Sequence, residues 1–141
     1  FKHYILDALA ETDDDFAIVV DTEWHESVNR GRAADYVRCT QPHSRRAFYQ
    51  QTWLERTAKD LPENDIHGEW MGFMKISAAA LPRFRSLVAG LAAKPENRKA
   101  KLHQLLTELV RSGERVRVIY TTGHWLDIDS LEDVVAAGSF A

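Results

Sequence analysis

The stretch FAIVVD, Phe16–Asp21, indicates the fold class more directly than any other part of the chain. Its four central residues are all apolar, and such a run is typical of a strand that is buried on both faces. An acidic segment precedes it, and before that Leu6 and Leu9, with Ile5 beside them, have the spacing of a buried helical stripe. A helix followed by a fully buried strand predicts an α/β domain.

The rest of the chain continues this alternation of helices and strands. Further strands are predicted at residues 35–40, 67–77 and 115–123, and further helices at residues 84–91, 97–112 and 131–135. Residues 22–34 predict a long loop, and residues 48–61 predict a helical or irregular segment. The expected fold is a single α/β domain over residues 1–141, with a mixed, mainly parallel sheet flanked by helices.

Composition and charge narrow the classes of function. A net charge of −3 does not favour the basic surface that binding to nucleic acid requires, so no nucleic-acid partner is expected. No apolar run approaches the roughly 20 residues that span a bilayer, so no membrane partner is expected. The one cysteine, Cys39, has no partner for an internal disulfide and favours a reducing, cytoplasmic location. The first residues read as if the chain starts partway through a helix, and we expect a fragment of a longer protein.

A carboxylate pair near the C-terminus offers the clearest chemistry. In GHWLDIDSLEDVVAA, residues 123–137, an extended backbone would send Asp127 and Asp129 to the same face, beside the start of a helix. Two carboxylates there could hold a hard cation such as Mg²⁺. They could equally serve the helix, because either Asp129 or Ser130 could be its N-cap. The residues alone leave both interpretations open.

Three segments together resemble a known enzyme family. VVDTEW (19–24), GEWMGFMKIS (68–77) and VRVIYTTGHWLDIDSLEDVVAA (116–137) resemble the C-terminal part of nucleotidyltransferases of the phosphocholine and 2-aminoethylphosphonate cytidylyltransferase type. Similar domains are fused to phosphoenolpyruvate phosphomutases in phosphonate biosynthesis. The resemblance implies an incomplete Rossmann-like nucleotidyltransferase fold. The family's glycine-rich nucleotide-binding loop has no counterpart here, so the chain corresponds to the acceptor side.

The resemblance also implies a reaction and its residues. A phosphate or phosphonate oxygen of the acceptor attacks a nucleoside triphosphate and releases pyrophosphate, and Mg²⁺ cancels the developing charge. Asp127 matches the family's second metal position and is the expected catalytic residue, with Asp129 as a further metal ligand. Asp21 matches the end of the family's VVD segment, although a turn role is favoured for it.

The acceptor would need aromatic faces and charged partners. Trp24, Trp70 and Trp125 could hold a quaternary ammonium by cation–π attraction, although a core or rim role suits Trp125 better. Glu69 could pair with a primary amine, and Lys75 or Arg30 with the phosphate or phosphonate oxygens. Glu69 and Lys75 could instead belong to a solvated strand face.

The expected partners follow from this interpretation. They are a nucleoside triphosphate and a small acceptor in the intact protein, with self-association or a missing N-terminal half to cover the exposed sheet edge. The isolated chain is expected to be inactive. The alternatives are a non-catalytic nucleotidyltransferase-like binding module appended to a phosphoenolpyruvate phosphomutase, and a plain structural α/β domain.

Overall fold

The computed structural model describes residues 3–25, 34–46, 50–123, 125 and 131–138. Within these ranges the helices are α1 (Tyr4–Glu11), α2 (Leu81–Ala92), α3 (Leu102–Arg111) and α4 (Leu131–Ala137). The strands are β1 (Phe16–Asp21), β2 (Tyr36–Cys39), β3 (Thr52–Ala58), β4 (Gly68–Ile76) and β5 (Val116–Thr121). Short 3-10 turns occupy Glu63–Asp65 and Pro95–Lys99.

The five strands form a closed barrel in the order β1-β4-β2-β3-β5, with β5 pairing back to β1. The β1–β5 pair is parallel, and the other four pairs are antiparallel. The expected mainly parallel, Rossmann-like sheet flanked by helices is therefore wrong. The predicted strand at FAIVVD is confirmed, and all six of its residues are buried.

The wrong prediction of the sheet topology originates at β3. Its segment, TWLERTA, was expected to be helical or irregular, yet Thr52 and Leu54 are buried and Trp53 between them is half-buried, as in a strand. This strand pairs antiparallel with both β2 and β5 and so closes the ring. β5 lies far from β3 in the sequence, so no local pattern could reveal the closure.

Two hydrophobic clusters pack on the two faces of β1. Phe16, Ile18 and Val20 join the first cluster, together with Leu106 and Leu109 from α3. Ala17 and Val19 point to the other face and join the second cluster, to which α1 contributes two buried side chains. We call this second side the α1 face. By strand alternation Asp21 also lies on the α1 face.

The helix boundaries agree with their sequence signals, except that α3 begins at Leu102, five residues later than expected, after the 3-10 turn Pro95–Lys99. α2 has a proline in its first turn, and Gly113, with a φ of +94°, lies just beyond the end of α3. Across the described part of the chain, no helix is long and apolar enough to cross a bilayer.

Candidate functional site

A transverse row of side chains crosses four strands at one end of the barrel. Tyr36 on β2 lies opposite Glu69 on β4, Glu69 lies opposite Asp21 on β1, and Asp21 is level with Thr121 on β5. Directly paired residues project from the same face of a sheet, so all four belong to the α1 face. With strands about 4.8 Å apart, the row is about 14 Å long. We call it the end row.

Asp21 is the organising residue of the end row. Its side chain is only 7% exposed. Its Oδ1 accepts hydrogen bonds from the backbone N–H of Glu23 at 3.0 Å and of Gly123 at 2.8 Å. Its Oδ2 accepts one from the indole Nε1 of Trp125 at 2.8 Å. The bond to Glu23 is the turn role favoured from the sequence, and the other two tie the chain after β5 to the end of β1.

Aromatic rings lie beside Tyr36 and beside Asp21 of the end row. The ring of Trp24 meets that of Tyr36 edge-on, with centroids 5.4 Å apart. Trp125 packs against the second hydrophobic cluster while its indole N–H reaches Asp21. Burial, together with the neighbouring carboxylate of Glu69, raises the pKa of Tyr36. The end row therefore combines two carboxylates with half-buried aromatic rings.

The structure brings three of the predicted substrate residues to this end of the barrel and places two elsewhere. Trp24, Glu69 and Trp125 belong to the end-row region. Trp70 lies in the first hydrophobic cluster, only 6% exposed, and its Nε1 donates to the carbonyl of Phe73. The indole N–H of Trp70 therefore has its hydrogen-bond acceptor within the fold.

Lys75 lies toward the opposite end of β4. It is six residues beyond Glu69, or about 20 Å along the strand. Its Nζ donates to the carbonyl of Thr12 and, at 3.3 Å, to that of Ala10, at the C-terminal end of α1. A cation at this position complements the negative end of the helix dipole. This contact holds α1 against the barrel, away from the end row.

The predicted metal ligands Asp127 and Asp129 lie outside the described residues, as does Arg30. Among the residues that are described, no group of three metal-binding side chains comes together. The carboxylate of Asp21 accepts three hydrogen bonds and keeps about one further acceptor position, since a carboxylate offers about four. A group of three metal-binding side chains that includes Asp21 would need members from outside the described residues.

Sequence reasoning missed Tyr36 and underrated Asp21. Tyr36 joins the site through strand register with Glu69, which no local pattern encodes. For Asp21 a signal was available, because it ends a fully buried strand and resembles the family's VVD position. Its links to Gly123 and Trp125 span more than a hundred residues of sequence, and only the parallel pairing of β1 with β5 makes them adjacent.

Distant likeness to solved structures is what the comparisons with known proteins add. No model of a protein family and no curated protein matches the chain. Among solved structures, the chain is similar to the nucleoside-diphosphate-sugar pyrophosphorylase from Vibrio cholerae RC9, with 14% identity and a TM-score of 0.47. The match covers 96% of this chain and 48% of that one, so the chain spans about half its length. At this identity and score, the likeness assigns neither a family nor an activity to the chain.

Proposed function

We propose that this chain is the acceptor-binding part of a nucleotidyltransferase, and that it binds a phosphonate or phosphocholine-like acceptor at the end row. The intact protein would transfer a nucleotidyl group from a nucleoside triphosphate to this acceptor and release pyrophosphate. We expect the transferred group to be cytidylyl. The observation that carries the proposal is that Trp24, Glu69 and Trp125 all lie at the end row: Trp24 contacts Tyr36, Glu69 pairs with Asp21, and Trp125 donates to Asp21.

The end row suits a small cationic group. Aromatic faces attract ammonium ions, and a carboxylate adds a charge partner for a primary amine. Trp24 and Trp125 supply the aromatic surface, and Glu69 lies between Asp21 and Tyr36 in the strand register. The anionic part of the acceptor would then extend beyond the barrel end, toward the segment after Trp125.

Asp21 acts on that segment through position. It holds the Gly123 amide and the Trp125 indole against the end of β1. We propose that Asp127 and Asp129, which follow directly, hold Mg²⁺, because carboxylate oxygens are the ligands that this ion prefers. When bound, Mg²⁺ would neutralise charge on the transferring phosphoryl group. Asp21 is in this proposal a positioning residue.

The test is calorimetric titration of the chain with phosphocholine and with 2-aminoethylphosphonate. Both should bind, because each carries a cationic head that aromatic faces and a carboxylate attract. Glu69→Gln should weaken the primary amine more than the quaternary one, since only the primary amine donates hydrogen bonds to a carboxylate. Trp24→Leu should weaken the quaternary ligand more. Glu63→Gln, on an exposed 3-10 turn, is the matched charge control.

A turnover assay separates the enzyme from its alternative. The longer protein, supplied with Mg²⁺, CTP and acceptor, should release pyrophosphate, and Asp127→Ala should abolish that release. Acceptor binding without turnover in the longer protein would favour the non-catalytic binding module. Absence of binding to either acceptor would refute the end row as an acceptor site.

A further inference from the structure

A groove of about 390 Å³ lies between α2 and the N-terminal half of α3, beside the 3-10 turn Pro95–Lys99. Four apolar side chains line this α2–α3 groove: Val88, Leu91, Leu102 and Leu105. Leu102 is 64% exposed, so the groove is open to solvent. An open apolar groove of this kind is a typical place for an amphipathic helix to bind.

The edge of the α2–α3 groove is basic. The segment KPENRKAK, residues 94–101, carries four basic side chains and one acidic side chain, Glu96, and so has a net charge of +3. All four basic residues are exposed. Glu108, an acidic residue that also lines the groove, is paired through its Oε1 with Arg111 Nη1 at 2.6 Å. The groove therefore suits an apolar surface that is accompanied by negative charge.

The last helix of the chain presents such a surface. Leu131, Val134 and Val135 of α4 are 79%, 52% and 74% exposed. Their i, i+3, i+4 spacing puts them on one face of the helix. Among the side chains of α4 that the structure describes, none lines the α2–α3 groove of the same chain. α4 therefore leaves an apolar stripe in solvent that its own groove does not cover.

Charge makes this stripe and the groove complementary. Residues 124–141 contain four acidic residues and no lysine or arginine, so their net charge is −4 with His124 neutral. Opposite net charges on two surfaces attract each other and favour one orientation of docking. A helix that binds an apolar groove uses side chains at i, i+3 and i+4, which is the spacing of the α4 stripe. Both sides of a helix-in-groove contact thus belong to the same chain.

We propose that two copies of this chain associate by placing α4 of each copy in the α2–α3 groove of the other. One seven-residue helix offers a small contact. An exchange about a two-fold axis makes the same contact twice and leaves neither stripe in solvent. This interface lies outside the end row, and it does not depend on the proposed nucleotidyl transfer.

Sedimentation velocity across a concentration series of the 141-residue chain tests the association. The chain should dimerise, and Leu131→Ser and Leu102→Ser should each weaken dimerisation by about tenfold or more, because each removes a leucine from the buried contact. Leu6→Ser is the matched control, since Leu6 is 40% exposed on α1 and belongs to neither surface. Circular dichroism checks that all three variants fold. A parent chain that stays monomeric, or a Leu6→Ser dimer weakened as much as the other two, would overturn the proposal.

Charge reversal tests the electrostatic part of the contact. Lys94→Glu places an acidic side chain on the groove lining, where it would face the acidic α4 region, and should weaken the dimer. Arg46→Glu makes the same change of net charge at an exposed position that does not line the groove, and should have little effect. Equal effects of the two variants would refute an acidic helix as the occupant.

Spin labelling distinguishes α4 in the groove from any other dimer. Gly138→Cys, just beyond α4, carries the nitroxide, while Cys39 is buried and stays unlabelled. Mixed with isotope-labelled parent chain, the spin-labelled chain should broaden the amide signals of Leu102 and Leu105 and leave that of Leu6 unchanged. Broadening elsewhere, with the groove signals unaffected, would identify a different interface and refute the proposal.

Discussion

Replacing Asp21 by Asn tests whether this carboxylate holds the chain after β5. The change keeps the size of the side chain but turns one acceptor oxygen into a donor NH₂ group. If the remaining oxygen keeps the two backbone donors, Gly123 and Glu23, then the amide nitrogen faces the indole N–H of Trp125. A hydrogen bond to a charged group contributes about 1.5–3 kcal/mol, so we expect a loss of that size in the free energy of unfolding.

The measurement pairs denaturant unfolding with the indole N–H signal of Trp125. In the parent chain this signal should be protected from solvent exchange, and Asp21→Asn should remove the protection. Trp125→Phe identifies the signal among the four tryptophans. Asp13→Asn, at an exposed position before β1, is the control and should change stability by less than about 0.5 kcal/mol. If Asp21→Asn behaves like Asp13→Asn in both measurements, the positioning role is refuted.

Three further perturbations probe the barrel around the site. Burial, with help from a neighbouring arginine, lowers the pKa of His67, whose Nδ1 accepts a hydrogen bond from the Cys39 amide. The contribution of the neutral imidazole to stability is therefore complete above the unfolded pKa of about 6.5 and should fall as the pH drops through the lower folded pKa. His67→Asn, which keeps an acceptor, should flatten the acid side of a curve of unfolding free energy against pH. Gly68→Ala should cost about 1–3 kcal/mol in thermal unfolding, because a Cβ there would lie 2.4 Å from Val20 Cγ1; an unchanged melting temperature would contradict the close approach of β4 to β1. Lys75→Met should lower the free energy of unfolding by about 0.3–1 kcal/mol and leave acceptor binding intact. Loss of acceptor binding with unchanged stability would instead show that this lysine contacts the acceptor.

Local sequence signals were sufficient for several elements of this fold. The apolar run of β1 and the stop of α3 at Gly113 depend on neighbouring residues alone, and both are confirmed. The strand at residues 67–77 and the last helix were also recognised from local pattern. The barrel was not, because its closure depends on β3, whose short alternation resembles an irregular segment.

The candidate site divides in the same way. Trp24, Glu69 and Trp125 were selected from motif resemblance, and the strand register brings them to one end of the barrel. Trp70 and Lys75 share a strand with Glu69, yet alternation and distance along the strand place them apart from it. Side-chain direction depends on the register of β4, and the pairing with β1 contains an irregularity between Ile18 and Val20 that local sequence does not reveal.

The short β3–β5 pairing has a consequence for how the ring opens. Two residue pairs join these strands and two join β2 to β4, whereas six join β1 to β5, so the barrel resembles a band with two weak clasps, of which the β3–β5 pairing is one. We expect the amides at this clasp to exchange with solvent sooner than those of β1, through partial opening that leaves the rest of the ring paired. Any contact that bridged β3 and β5 would strengthen this clasp and would be read directly as slower exchange there.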